Sequence, residues 1–335
     1  MPMPAVSLLI CDDSGMARKQ LLRALPPEWA VTVTQAANGQ EGLEAIRRGQ
    51  GQVVLLDLTM PVMDGYQLLE AVRAEGLSAH IIVVSGDVQA EAMRRVLALG
   101  ALAFLKKPVA PEDLLAALQR FDLLGQPTSA VVPARPSSDA SVSFNEAFRE
   151  IVNVAMGRAA ALLARVLDVF VELPVPAVNV LQVGELQMAL TDAASDPKLT
   201  AICQGFIGSG IAGEALLLFH GCDLADLGRL MLRAQADEYG DAEMLLDLSS
   251  LLVGACVSGI AEQIDAQFTQ SHPHRLGDNG SIQDLIERNK GRWKPCLAVE
   301  ISYALEGHGI HFDLLLLFTD ESVQLLRNKL AYMMN

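Results

Sequence analysis

Residues 53–69, VVLLDLTMPVMDGYQLL, decide the fold of the first part of the chain. The apolar run Val53–Asp57 has strand length and ends on a carboxylate, and a helical pattern, Tyr66–Glu75, follows it. The same unit recurs on both sides. Strand-length runs lie at Ser7–Cys11, Val31–Gln35, Ile81–Val84 and Ala101–Leu105. Helical patterns lie at Met16–Leu25, Gln40–Arg47, Ala90–Leu99 and Pro111–Phe121. Such alternation predicts an α/β doubly wound, flavodoxin-like domain over residues 1–124. Its parallel sheet is covered on both faces, and ligands bind at the carboxyl ends of the strands.

The residues at those ends are specific. Asp12 and Asp13 close the first strand, Asp57 the third and Ser85 the fourth, and Lys107 follows the fifth. A single strand-end aspartate would read as a helix cap. Three carboxylates converging on one point repel unless a cation sits among them, and hard oxygen ligands select Mg²⁺. A lysine and a hydroxyl beside them complete a site for a phosphoryl group carried on a carboxylate.

The stretches LLICDDSGMARKQL (8–21), VVLLDLTMPVMDGYQLL (53–69), IIVVSGD (81–87) and GALAFLKKPV (100–109) carry a resemblance to the CheY-like receiver domain of two-component response regulators. It covers essentially all of residues 5–122. The resemblance implies that Asp57 accepts a phosphoryl group from a histidine kinase. Asp12, Asp13 and Asp57 would hold Mg²⁺ with the backbone carbonyl of Thr59, and Ser85 and Lys107 would contact the phosphoryl oxygens. Phe104 matches the aromatic position that reorients on activation, and Pro61 and Gly65 shape the loop after Asp57.

The bulk properties are those of a soluble, acidic, cytoplasmic protein. With 40 acidic against 25 basic residues, the formal charge of −15 argues against electrostatic binding of nucleic acid. Apolar runs such as Ala215–Phe219 and Leu314–Phe318 are of strand length, short of the roughly 20 residues of a membrane span. The N-terminus lacks a basic region ahead of its first apolar run, unlike a signal peptide. Cys11, Cys203, Cys222, Cys256 and Cys296 form no CxxC pair and read as buried free thiols of a reducing compartment. Residues 125–141, GQPTSAVVPARPSSDAS, read as a Pro/Ser-rich, semi-stiff linker.

Beyond it, Phe144–Val166 reads as one long helix. Glu150 and Asn153 share a face one turn apart, with Glu146 a turn earlier. Asparagine is a poor helix-interior residue, and Gly157 costs about 1 kcal/mol relative to alanine. This face is therefore retained for something other than helix stability.

Glu146, Glu150, Asn153, Gly157 and Pro176 recur at an offset of 97 as Glu243, Asp247, Ser250, Gly254 and Pro273. The repeat divides residues 142–335 into halves of about 142–238 and 239–335, each a long helix, strands and a closing helix. It predicts an α+β domain with pseudo-two-fold symmetry and two long helices packed on a sheet. The small residues Ala159, Ala160, Ala161, Ala255, Ser258 and Gly259 would let those helices approach closely. His272 and His274 lack a third ligand and read as loop residues. GFIGSGIAG (205–213) leads into a strand rather than opening a helix, unlike a phosphate loop.

The spacing Glu150-x2-Asn153, with Pro176 after 22 intervening residues, resembles the CheC, CheX and FliY family of chemotaxis phosphatases. That resemblance implies a protein aspartyl-phosphate phosphatase. Its substrate would be a phosphorylated CheY-like receiver, with Asp57 phosphorylation controlling the activity. Glu150 would reach the substrate's active-site lysine, and the Asn153 amide would hold the attacking water. Glu146 stands where the family has Asp or Ser. Asp247 is shorter than glutamate and Ser250 lacks the second donor of an amide, so the second copy reads as a degenerate site. Two other readings stand beside this one. One is a non-catalytic adaptor or phosphate sink that binds receivers, a CheD-like protein or the flagellar switch. The other is action in cis on the chain's own Asp57.

Overall fold

A computed structural model of the chain describes residues 5–124, 142–182, 184–186, 188, 199–219, 224–232, 241–276 and 296–334. The stretch 125–141 and Cys222 lie outside the described residues. The chain forms two compact units, Met1–Glu150 with Met334–Asn335, and Ile151–Met333.

In the first unit, β1 (Val6–Cys11), β2 (Val31–Ala36), β3 (Val53–Leu56), β4 (His80–Ser85) and β5 (Ala103–Lys106) form one parallel sheet in the order β2-β1-β3-β4-β5. Between them run α1 (Gly15–Ala24), α2 (Gly39–Arg47), α3 (Gly65–Ala74) and α4 (Ala90–Ala98), with α5 (Pro111–Arg120) last. The fifth strand starts two residues later than the apolar run suggests, and Asp57 lies one residue beyond β3.

Side chains alternate across a strand, and here both faces are covered, which is why the strands read as unbroken apolar runs. Leu9, Cys11, Val54, Leu56 and Val83 pack with Leu43, Leu68, Val72 and Val96 of α2, α3 and α4. Their neighbours Leu8, Ile10, Val53, Leu55, Ile82 and Val84 pack with Leu21, Leu114 and Leu118 of α1 and α5. Each fully buried leucine contributes about 1.5–3 kcal/mol. Strand order reverses between β1 and β3, so the crevice for a ligand opens at their carboxyl ends.

The second unit holds an eight-stranded antiparallel sheet. Its strands are β6 (Val171–Glu172), β7 (Ala177–Leu181), β8 (Thr200–Gly208), β9 (Ile211–Phe219), β10 (Thr269–Gln270), β11 (His274–Leu276), β12 (Cys296–Leu305) and β13 (Ile310–Phe318). The central pair is β9 with β13. Outside it, β8 pairs with β9 and β12 with β13. The short strands cross over between halves. β6 and β7 of the first copy pair with β12 of the second, while β10 and β11 of the second pair with β8 of the first.

Each copy's short strands thus pair with a long strand of the other copy. Pro176 immediately precedes β7, and Pro273 immediately precedes β11. A proline at a strand's entry removes no ladder hydrogen bond and sets an extended approach. GFIGSGIAG is the β8–β9 hairpin, with Ser209 and Gly210 at φ 52° and 79° making its left-handed turn.

Four helices complete the description: α6 (Phe144–Leu167), α7 (Leu224–Leu232), α8 (Asp241–Gln263) and α9 (Asp320–Met334). Within the second unit α6 and α8 meet closely. A Cβ on Gly259 would stand 3.0 Å from Cα and Cβ of Ala155. Gln263 Nε2 donates to the Ile151 carbonyl at 2.9 Å, and Arg158 pairs with Glu262.

The second of the two long helices expected from the repeat is α8, and as an apolar run it exceeds strand length. Glu243–Gln263 is long and apolar enough to cross a membrane by length and composition. Its Leu245, Leu248, Leu252, Val253, Cys256, Val257 and Ile260 are buried in the unit. The described cysteines Cys11, Cys203, Cys256 and Cys296 are free and buried, and burial pushes the last three up to about 12.

Candidate functional site

The carboxyl ends of β1, β3, β4 and β5 bring five of the sequence-derived residues to one place. Backbone bonds fix each carrier just past its strand. Asp12 donates its N–H to the Ala36 carbonyl, Asp57 to Cys11 and Lys107 to Ser85, at 3.1, 2.9 and 2.9 Å. Ser14 caps α1 by accepting from the Ala17 N–H, and its own N–H donates to Asp12 Oδ1 at 2.8 Å. Leu58 N–H donates to Asp57 Oδ1 at 2.8 Å. Gly65 lets the loop after β3 close down, since a Cβ there would fall 2.3 Å from the Asp57 carbonyl oxygen.

Lys107 is the hub. Its Nζ donates to Asp57 Oδ2 at 3.0 Å and stands 2.7 Å from Asp12 Oδ2 and 3.1 Å from Glu150 Oε1. All four side chains are at most 4% exposed. Burial alone would depress the lysine, but Asp12, Asp57 and Glu150 outweigh it and hold the ammonium well above its ordinary value. Burial raises the three aspartates, against Lys107: Asp12 to about 8, and Asp13 and Asp57 to about 6.

Asp12, Asp13 and Asp57 each place a carboxylate oxygen within 4.8 Å of the others. Among the described residues no other group of three possible ligands lies so close. Asp12 Oδ2 is buried with its charge contact to Lys107 but no aligned hydrogen-bond donor. An under-satisfied buried carboxylate among hard oxygen donors fits a divalent cation such as Mg²⁺. Such an ion would neutralise charge on a phosphoryl group at Asp57.

Ser85 is buried, and its Oγ accepts the Asp87 N–H at 3.1 Å. Thr59 is half-buried in the β3–α3 loop, and Phe104 is half-buried on β5, packed against the α2–α4 side of the core. Asp87 and Gln89 were not singled out in the sequence. Both are buried, and Gln89 N–H donates to Asp87 Oδ1 at 3.0 Å. Burial raises Asp87 to about 6.

The first unit also takes in the start of α6, through Glu150. Gly15 N–H donates to Glu146 Oε1 at 2.7 Å, and Arg149 Nη2 lies 3.2 Å from Asp13 Oδ2. Arg149 was missed because an arginine beside a glutamate on a helix reads as solvated face. Asn153, in the second unit, is buried at 7% exposure. On α8, Asp247 is exposed and Ser250 half-buried.

Residues 8–119 match the family described as Response regulator receiver domain. The nitrate/nitrite response regulator protein NarL of Escherichia coli K12 is 39% identical over 120 residues, 35% of this chain and 54% of that protein. The protein-glutamate methylesterase/protein-glutamine glutaminase of Symbiobacterium thermophilum is 36% identical over 127 residues, 37% of this chain and 35% of that protein. The chain thus spans about half the length of the first and about a third of the second. The crystal structure of Thermotoga maritima FliY covers 57% of this chain and 96% of its own, at 15% identity and TM-score 0.41. The N-terminal part of the chain is a response regulator receiver domain of two-component signalling.

Proposed function

We propose that this chain is a response regulator whose output half is an aspartyl-phosphate phosphatase. Asp57 takes a phosphoryl group from a histidine kinase, and Glu150 and Asn153 on α6 hydrolyse the aspartyl phosphate of a receiver. The reaction is a displacement at phosphorus. Water adds, the bond from phosphorus to the aspartyl oxygen breaks, and carboxylate and inorganic phosphate result, with the water's proton passing to phosphate and solvent. Little covalent chemistry is asked of the enzyme, so one group to orient water and one to fix the helix on the receiver suffice. The Asn153 amide is suited to the first task because it both donates and accepts.

The observation that carries this reading is the Glu150 Oε1 to Lys107 Nζ distance of 3.1 Å. It is the acid-to-lysine contact that such a helix has to make with a receiver, and it is charge-assisted. The test measures decay of phosphorylated receiver with the intact chain and with Asn153→Ala. Faster decay with the intact chain alone supports the proposal, and equal decay removes it. In that event the chain is an adaptor or phosphate sink, which the exposed Asp247 favours by offering α8 to a partner without an amide beside it.

A further inference from the structure

The turn from β4 into α4 bonds inward. Ser85 Oγ accepts the Asp87 N–H at 3.1 Å. Asp87 Oδ1 accepts the Gln89 N–H at 3.0 Å, and Asp87 Oδ2 accepts from Gln89 Nε2 at 3.3 Å. Connecting segments ordinarily run over the surface and give their polar groups to water. Here Ser85, Asp87 and Gln89 are 0%, 7% and 2% exposed, and all three belong to the first compact unit.

Two local costs mark this arrangement. Gln89 is the N-cap residue of α4, yet its side chain makes no capping bond and turns back to Asp87. A serine or aspartate at that position would cap the helix. Asp87 is a buried carboxylate. Burial raises it to about 6, and what opposes burial is Gln89, through its N–H and its side chain. Tyr66 feels the Asp87 charge more than any other, yet its buried hydroxyl has no hydrogen-bond partner, so it does not share the carboxylate. Such departures from local preference point to a role other than helix stability.

That role lies at Ser85. β4 runs between β3 and β5, so its last residue is flanked by the backbone carriers of Asp57 and Lys107. The Ser85 carbonyl accepts the Lys107 N–H at 2.9 Å, and its Oγ accepts the Asp87 N–H. A hydroxyl has one proton and two acceptor positions. With the Asp87 N–H on one acceptor position, rotation of the hydroxyl is restricted and its proton is left to donate. We propose that Asp87 and Gln89 are positioning residues for phosphoryl transfer to Asp57. Their carboxylate–amide clasp holds the Asp87 N–H on Ser85 Oγ and so aims the Ser85 proton at the phosphoryl group. This rests on the reading of Asp57 as phosphoacceptor. In transfer from an acyl phosphate, an Asp57 carboxylate oxygen bonds phosphorus as the bond to the donor's oxygen breaks, and the donor leaves as a carboxylate. Ser85 keeps its proton and gives only a hydrogen bond to the phosphoryl oxygens.

The experiment phosphorylates the full chain with acetyl phosphate and Mg²⁺, with Asp57→Asn as the blank. Asp87→Ala should slow labelling about fivefold, the scale of one hydrogen bond. Asp87→Asn, which keeps an oxygen for the Gln89 N–H, should recover most of that loss. Gln89→Leu keeps the volume but not the amide and should slow labelling about twofold. Tyr66→Phe should leave the rate unchanged. The decisive comparison is a double variant. In a Ser85→Ala background, Asp87→Ala should slow labelling no further, because the hydroxyl it acts through is already gone. In metal-free protein the amide of residue 87 should exchange with solvent faster in Gln89→Leu than in wild type, a readout independent of phosphorylation.

An undiminished rate in Asp87→Ala overturns the proposal, as does the same fold-loss from Asp87→Ala with and without the Ser85 hydroxyl. A loss in Tyr66→Phe equal to that in Asp87→Ala overturns it by passing the role to the phenol. Wild type that takes no more label than Asp57→Asn removes the phosphoacceptor reading itself, a result distinct from each of these.

Discussion

Arg149 Nη2 stands 3.2 Å from Asp13 Oδ2, so a fixed cation sits beside a carboxylate of the cation-binding cluster. Asp12, Asp13, Asp57 and Glu150 face Lys107 and Arg149, four acids against two bases. With all four acids ionised, the shortfall is the charge of one divalent ion. Arg149 covers part of what that ion would cover and repels it. Arg149→Ala is therefore expected to tighten Mg²⁺ binding about fivefold to tenfold, a unit charge a few ångströms away in a partly screened site. Titration calorimetry on the full chain checks this. Weaker binding in the variant would show that Arg149 organises Asp13 for the ion instead.

Acid and Mg²⁺ should compete at the same oxygens. Burial raises Asp12 to about 8 and Asp13 and Asp57 to about 6, so these groups bind protons more tightly folded than unfolded. Across about pH 4 to 8 the folded state then carries more protons, and stability contributed by these groups falls as pH rises. Lys107, held well above its ordinary value, stays charged throughout that window. The metal-free protein is expected to melt lower at pH 8 than at pH 5.5 through this cluster, with Mg²⁺ raising the melting temperature more at pH 8. Asp12→Asn should flatten both trends. A metal-free melting temperature that climbs with pH equally in wild type and Asp12→Asn would refute this.

Lys107 compensates three buried carboxylates, so its loss leaves them facing one another. Removing one side of a buried charge cluster costs about 3–5 kcal/mol. Lys107→Ala should lose that much in denaturant unfolding at pH 8 without metal, and less at pH 5, where Asp12 and Asp57 are protonated. An equal loss at both pH values would mean the lysine acts by packing alone.

Gly259 and Ala155 set the approach of α8 to α6 in the second unit, because any Cβ at 259 falls 3.0 Å from Ala155 backbone and side chain. Gly259→Leu should destabilise that unit by about 1–3 kcal/mol through overpacking. A calorimetric scan should show this in the second unit's transition, with the receiver's unchanged. The residue was readable as one of a set of small positions after a helix glycine, but its partner was not, since small residues mark close approach without naming what approaches.

What could be read from the chain was whatever repeats at short range. The period-2 cores on either side of β1 and β3 leave unbroken apolar runs, so the five units and the positions of Asp12, Asp57, Ser85 and Lys107 follow from local pattern. The offset of 97 implied duplication. It could not show that β6 and β7 pair with β12 while β10 and β11 pair with β8, because pairing between distant segments leaves no local trace. Burial of Glu150 and Asn153 was equally hidden. A polar helix face reads as solvated unless its covering partner is known, and that blindness concealed Arg149 as well. The apolar length of α8 is hidden behind the polar positions Glu243, Asp247 and Ser250 that mark the repeat, so it does not stand out as a continuous run.

The second copy offers the last test. Asp247 and Ser250 occupy on α8 the helical phase that Glu150 and Asn153 occupy on α6, and Asp247 is exposed where Glu150 is buried. If acid reach and an amide are all that the second copy lacks, Asp247→Glu with Ser250→Asn should create a working site. Made in an Asn153→Ala background, this variant should hydrolyse an added phosphorylated receiver in trans, because α8 carries its acid into solvent. The gain over Asn153→Ala alone should be about tenfold or more, the scale of a positioned hydrogen-bonding group in such a displacement. Its rate should grow with protein concentration. Absence of any gain, with the variant folded by circular dichroism, would show that α8 lacks more than two side chains, and that the polar phase of the repeat serves docking rather than hydrolysis.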